Sequence, residues 1–317
     1  MEQESNIKKE KKKCKAIQNN GNKCKYAVKI GDYCGRHQYV EHVTRSSYTI
    51  TFGDVAENHI GMQQVTCLNL EKDEKEPLTI SDLIQITSWF RERKCSVEVY
   101  DLNKNLPSQA SKIDCEKAQV IVVRFGIFSL LEDQISWSLE DLHKQIMMCK
   151  WDDKIYKDGK IIDKKARHNI CFSNYDQDID LKNGKGTVCN FDRYPPLKLI
   201  RENLNKILNT GLKEEKEENT KLKDLVAEGN YYYDLKTCGI GFHGDKERRI
   251  VVGMRFGDES PLCFQWFYKG IPVGDKERIE LKHSDIYFMS GKAVGFDHDE
   301  LTLKHSAGAE KYLTPAV

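Results

Sequence analysis

The chain has 317 residues, 39% hydrophobic and 31% charged, which is enough for two compact domains with a real core under a wet surface and argues against wholesale disorder. A net charge of +1 excludes a global polyanion-binding character, and apolar runs such as Val120-Ile121-Val122-Val123 are far too short to cross a bilayer. The N-terminus MEQESNIKKEKKK has no apolar leader, so the expected setting is an intracellular, reducing compartment (cytoplasm or nucleus). There the 11 cysteines serve as metal ligands or buried thiols rather than disulfides.

Four segments separate along the chain. Residues 1–13 are expected to be a basic, disordered arm. Residues 14–40 hold Cys14, Cys24, Cys34 and His37 in a C-x9-C-x9-C-x2-H pattern, three thiolates and an imidazole that suffice for a closed tetrahedral zinc site. So short a segment cannot bury enough apolar surface to fold unaided, and Zn(II) would supply the missing stability. The cluster resembles the small Cys/His modules appended to nucleic-acid-processing enzymes.

Residues 41–155 read as an α/β accessory domain. Tyr48 to Phe52 and Gln119 to Phe125 have strand character, while Ser81 to Arg91 and Ser138 to Met148 carry apolar residues at helical spacing. Residues 156–317 read as a β-rich domain of many short strand-like runs, interrupted by a helix over Pro196 to Leu208 with Leu197, Leu199, Ile200, Leu204 and Ile207 on one face. The alternating charges of Lys213 to Lys223 suit a solvated helix end or loop.

Within this domain, His243 and Asp245 stand two apart in Ile240-Gly241-Phe242-His243-Gly244-Asp245-Lys246-Glu247. On a strand they project to one face and supply two ligands of a 2-His-1-carboxylate set, whose open positions suit iron(II). The stretch resembles the AlkB-like branch of the Fe(II)- and 2-oxoglutarate-dependent dioxygenases, in which I-G-x-H-x-D-x-E recurs. Arg255-Phe256-Gly257, Cys263-Phe264-Gln265-Trp266, Asp285 to Gly291 and Leu301 to Lys304 are similar, in order, to that family's later barrel strands. The resemblance spans about half the chain, roughly residues 165–312.

It implies an α+β fold: a double-stranded β-helix (jelly-roll) catalytic domain with flanking helices, preceded by the small α/β region and the zinc module. It also implies a reaction in which O2 and 2-oxoglutarate are consumed and a substrate C–H bond is hydroxylated. His298 is the expected third iron ligand, with Lys304 binding 2-oxoglutarate where the family carries an arginine. The rival pair is His305 with Lys311. Lys304 and His305 are adjacent and face opposite ways on a regular strand, so both cannot point at the metal. Tyr233 stands where the family places a tyrosine bonded to the co-substrate. A modified nucleobase in nucleic acid is the leading substrate class. A protein side-chain hydroxylase and a non-catalytic, zinc-containing nucleic-acid-binding protein with a vestigial barrel are the alternatives.

Overall fold

The computed structural model describes residues 24–27, 45–67, 76–107, 115–131, 137–210, 225–297 and 300–315. The chain divides into two units, Met1–Arg45 and Ser46–Val317. In the first, Cys24 is buried, whereas Cys14, Cys34 and His37 lie outside the described residues. The second is mixed α+β and mostly β. None of its described helices is long and apolar enough to cross a membrane.

The second unit begins with β1 (Ser47–Gly53) and the hairpin β2 (Ala56–Asn58) and β3 (Gln63–Val65). Helix α1 (Ile80–Glu92) starts where Thr79 and Asp82 exchange side chain-to-backbone bonds in a capping box, and it buries Leu83, Ile86 and Phe90. Strands β4 (Ser96–Asp101) and β5 (Gln119–Arg124) and helix α2 (Gly126–Leu131) follow. Helix α3 (Leu139–Met147) has the same device in Ser138 and Asp141. Hairpin β6 (Lys154–Lys157) and β7 (Lys160–Asp163) leads to β8 (His168–Ser173) and β9 (Val188–Asn190). Helix α4 (Pro195–Thr210) buries Leu197, Ile200, Leu204 and Ile207 as its spacing predicts, with Leu199 half-buried beside them. The remaining elements are β10 (Val226–Tyr232), β11 (Gly239–His243), β12 (Val252–Gly257), β13 (Ser260–Tyr268), β14 (Ile271–Leu281), β15 (Ile286–Met289), the short α5 (Gly291–Val294) and β16 (Leu301–Gly308).

Among the described residues, eight strands form one sheet in the order β4-β5-β15-β12-β1-β10-β8-β9, and four form a second in the order β11-β16-β13-β14. The expected boundary at residue 155 does not divide this fold. Strand β1 is hydrogen-bonded between β10 and β12, and β5 pairs with β15. The segment read as an accessory domain therefore completes the sheet of the C-terminal half. Its strand-helix-strand order looks like a small domain only because the long-range pairing that absorbs it leaves no local signature.

Period-2 alternation gives the large sheet two different faces. Tyr48, Ile50, Phe52, Ala227, Val252, Met254 and Phe256 join one core that includes buried residues of α1, α2, α3 and α4. The intervening residues Thr49, Thr51, Glu228, Asn230, Tyr232 and Arg255 line a cavity on the opposite face, together with Ile240, Leu262, His305 and Ala307 of the four-stranded sheet. Elsewhere the gap between the sheets is filled by apolar side chains: Val120 and Val122 on β5, Phe264 and Trp266 on β13, Leu301 and Leu303 on β16. One end of the sandwich is thus a packed core and the other a polar cavity of about 520 Å³, within the size range of ligand sites.

Candidate metal centre

His243 ends β11 and pairs in register with His305 on β16. The Nε2 atoms of His243 and His305 lie 3.4 and 3.6 Å from Asp245 Oδ1. One ligand atom from each of the three residues falls within 4.8 Å of the others. Of the two expected third ligands, the structure brings His305 to this cluster. His298 lies outside the described residues.

Local structure holds each member. His243 Nδ1 donates to the Gly241 carbonyl at 2.8 Å, which orients the ring so that Nε2 is aimed at the cluster. The Asp245 amide donates to Val294 O at 3.1 Å. Gly244 meets the Gly295 carbonyl so closely that a Cβ would collide with backbone, so the H-x-D turn needs a glycine between its two ligands. His305 is only 7% exposed and its Nδ1 makes no hydrogen bond. Burial, and then His243, lower its pKa to about 4, so its imidazole is neutral at physiological pH and able to ligate. Burial alone would raise the Asp245 carboxyl, but Arg248, His305 and His243 overcome that and hold it well below the usual carboxylate range. Two imidazoles and a carboxylate on one cavity wall fit a divalent metal with open positions.

The expected co-substrate residues are elsewhere. Lys304 turns away from His305, as alternation requires, and places Nζ 4.5 Å from the centre of the Phe267 ring. Lys311 lies over Tyr312. Tyr233 stacks on His168 and donates to the Lys165 carbonyl at 3.1 Å. None of the three lines the cavity. Tyr232, one residue earlier and on the other face of β10, does.

Arg255 is among the cations that do line the cavity, with Arg167, Lys246 and Arg248. It is 1% exposed, in register with Thr49, and donates through Nη1 to Ser47 Oγ at 2.9 Å and more distantly to Ser260 Oγ. Its Nε and the Thr49 hydroxyl make no hydrogen bond, and among the described residues no carboxylate pairs with it. A buried guanidinium opposed only by hydroxyls is short of an anion. The signal was present in Val252-Gly253-Met254-Arg255-Phe256, where a lone arginine interrupts an apolar strand.

The opposite end of the cavity is acidic. Hairpin β2–β3 supplies Glu57, His59, Met62 and Gln64 to its rim, facing Glu228, Glu247 and Arg248. The Glu57 side chain is 14% exposed. Burial, then the Glu247 and Glu228 carboxylates, push its carboxyl up to about 7. With the folded pKa above the unfolded one, stability is fully present below about 4.5 and is lost as pH rises through 7. In metal-free protein, Glu57→Gln should therefore raise stability by roughly 1–3 kcal/mol at pH 8 and much less at pH 5. Urea unfolding at the two pH values measures this, and an equal gain at both would refute the assignment.

No family model matches the chain. It is 40% identical over 272 residues to "Uncharacterized protein R156" of Acanthamoeba polyphaga mimivirus, a match covering 85% of this chain and 98% of that protein. Identity at that level over nearly the whole of the viral protein shows common descent, and the chain belongs to the family of mimivirus protein R156.

Proposed function

We propose that this protein is an Fe(II)- and 2-oxoglutarate-dependent dioxygenase that oxidises a modified nucleobase. The observation that carries the reading is the convergence of His243, Asp245 and His305 in one cavity with the anion-deficient Arg255. The winding supports it. From β10 onward the chain passes between the two sheets, with β10, β12 and β15 in the larger and β11, the β13–β14 hairpin and β16 in the smaller. This alternation is what a double-stranded β-helix would require, with N-terminal β1 taking the place between β10 and β12.

In this reading His243, Asp245 and His305 hold iron(II), which with 2-oxoglutarate and O2 supplies an oxidant for a substrate C–H bond as 2-oxoglutarate becomes succinate and CO2. Arg255 binds the distal carboxylate of the co-substrate through its fork, aided by the Thr49 hydroxyl. This assigns to β12 and β1 the role expected of Lys304 or Lys311. The apolar packing of β13 and β16 beside the site would limit the approach of water from that side. The acidic rim, with the Glu57 carboxyl, His59 and the Gln64 amide, offers the donors and acceptors that a flat heterocycle presents along its edge. In the first unit, Cys14, Cys24, Cys34 and His37 are the proposed zinc ligands.

Succinate production in the presence of iron(II), 2-oxoglutarate and O2 tests the reading. Stimulation by N-methylated single-stranded oligonucleotides, and not by lysyl or prolyl peptides, is expected. Peptide-only stimulation would move the substrate to protein, and no turnover under any condition would defeat the enzyme reading.

A further inference from the structure

The cluster of charge behind the metal ligands is larger than ligation requires. Arg248 and Glu228 are both buried, with Arg248 Nη2 2.5 Å from Glu228 Oε2. Arg248 also reaches Glu247 at 2.7 Å and, through Nε, Asp245 Oδ2 at 3.7 Å. Glu228 in turn accepts from Asn230 Nδ2 at 3.0 Å, from His59 Nε2 at 2.9 Å and from the Glu57 amide at 3.4 Å. The last two belong to β2 and the turn after it, on the cavity rim. The loop that carries Arg248 is pinned from the N-terminal side as well, because Asp54 Oδ1 accepts from the amides of Arg249 and Ile250.

Two consequences follow from these contacts. First, the two oxygens of Asp245 are not equivalent. Oδ1 faces both imidazoles, while Oδ2 faces the Arg248 guanidinium. Second, a buried pair such as Glu228–Arg248 adds little net stability by itself, yet this one ends on a metal ligand at one side and on the rim hairpin at the other.

We infer that Arg248 is a positioning residue that presents Asp245 to the metal through Oδ1 alone, and that Glu228 and His59 link this presentation to the β2–β3 hairpin at the cavity mouth. The inference rests on the metal-site reading above. It goes beyond that reading by naming what sets the carboxylate's mode of binding and by tying it to the wall against which substrate would lie. Groups that orient a metal ligand typically change metal affinity 10–100-fold when removed.

Cobalt(II), titrated anaerobically into full-length protein preloaded with one equivalent of zinc to fill the proposed thiolate site and followed by its visible d–d absorption, tests this without turnover. In Arg248→Gln, affinity should fall by about 10- to 100-fold. The band should also lose intensity, because the released Oδ2 can join the metal and raise its coordination number. Arg248→Lys keeps the charge but not the fork and should recover part of both. His59→Ala, a change on the half-exposed rim that leaves the core packing intact, should weaken binding in the same direction by a smaller factor. It carries the test if Arg248→Gln does not fold by circular dichroism. A folded Arg248→Gln, or His59→Ala in its place, with wild-type affinity and spectrum would overturn the inference while leaving the metal site standing. Failure of the wild-type protein to bind cobalt(II) would overturn the metal site itself.

Discussion

Replacing His305 with alanine should abolish tight divalent-metal binding, whereas His298→Ala should leave it within a few-fold of wild type. The geometry behind this is the register of β11 and β16, which sets His305 directly across from His243 and 3.6 Å from the carboxylate that His243 also faces. Removing one of three protein ligands leaves a two-point site on a cavity wall, and a hard divalent ion then gains little over its own hydration. Anaerobic iron(II) binding with 2-oxoglutarate, followed by the visible charge-transfer band, reads the result for both variants. A band surviving in His305→Ala and lost in His298→Ala would reverse the assignment. Because His305 is buried and neutral, its alanine variant forfeits packing as well as ligation. The cleaner companion is His305→Gln, which keeps bulk and should still lose the band.

The second large effect is expected at Arg255. Two charge-assisted hydrogen bonds at about 1.5–3 kcal/mol each make Arg255→Met weaken 2-oxoglutarate binding by roughly 100-fold or more. Lys304→Ala and Lys311→Ala should change it little, since neither side chain lines the cavity. The stability of the ligand-free variant should move the other way. Arg255 is buried against two hydroxyls with Nε unbonded, and an apolar side chain of similar length removes that desolvation cost. Thermal melting should therefore show Arg255→Met at least as stable as wild type without co-substrate. The order should reverse at saturating 2-oxoglutarate, which stabilises only the protein that binds it. Undiminished 2-oxoglutarate affinity in Arg255→Met would show that the anchor lies elsewhere.

These two predictions concern residues that the linear sequence presented unequally. His243 and Asp245 were legible because their spacing and flanking residues are local. The helices were legible for the same reason, because apolar spacing marks the buried faces of α1, α3 and α4; the structure adds the capping boxes of Thr79 with Asp82 and Ser138 with Asp141 at two of their starts. The strand signal in Tyr48 to Phe52 was equally plain, and so was the exclusion of Lys304 and His305 from a shared face, which depends only on strand period.

What the sequence could not carry was partnership between distant segments. Nothing in Ser47 to Gly53 indicates that β1 inserts between β10 and β12, nearly two hundred positions away, because antiparallel pairing leaves no mark on either strand beyond alternation. That insertion turned an expected accessory domain into a wall of the cavity and delivered Ser47, Thr49 and Thr51 to its inner face. The candidate third ligand has the same origin. The resemblance implies His298, but the register of β16 against β11 puts His305 across from His243. Arg255 and Arg248 were visible as charges in apolar or turn contexts. Their meaning, one short of an anion and the other shared among three carboxylates, exists only once the two sheets face each other. Residue chemistry and local periodicity were therefore determined by the sequence itself, and the tertiary structure decided which of those residues meet, since that depends on pairing between segments far apart in the chain.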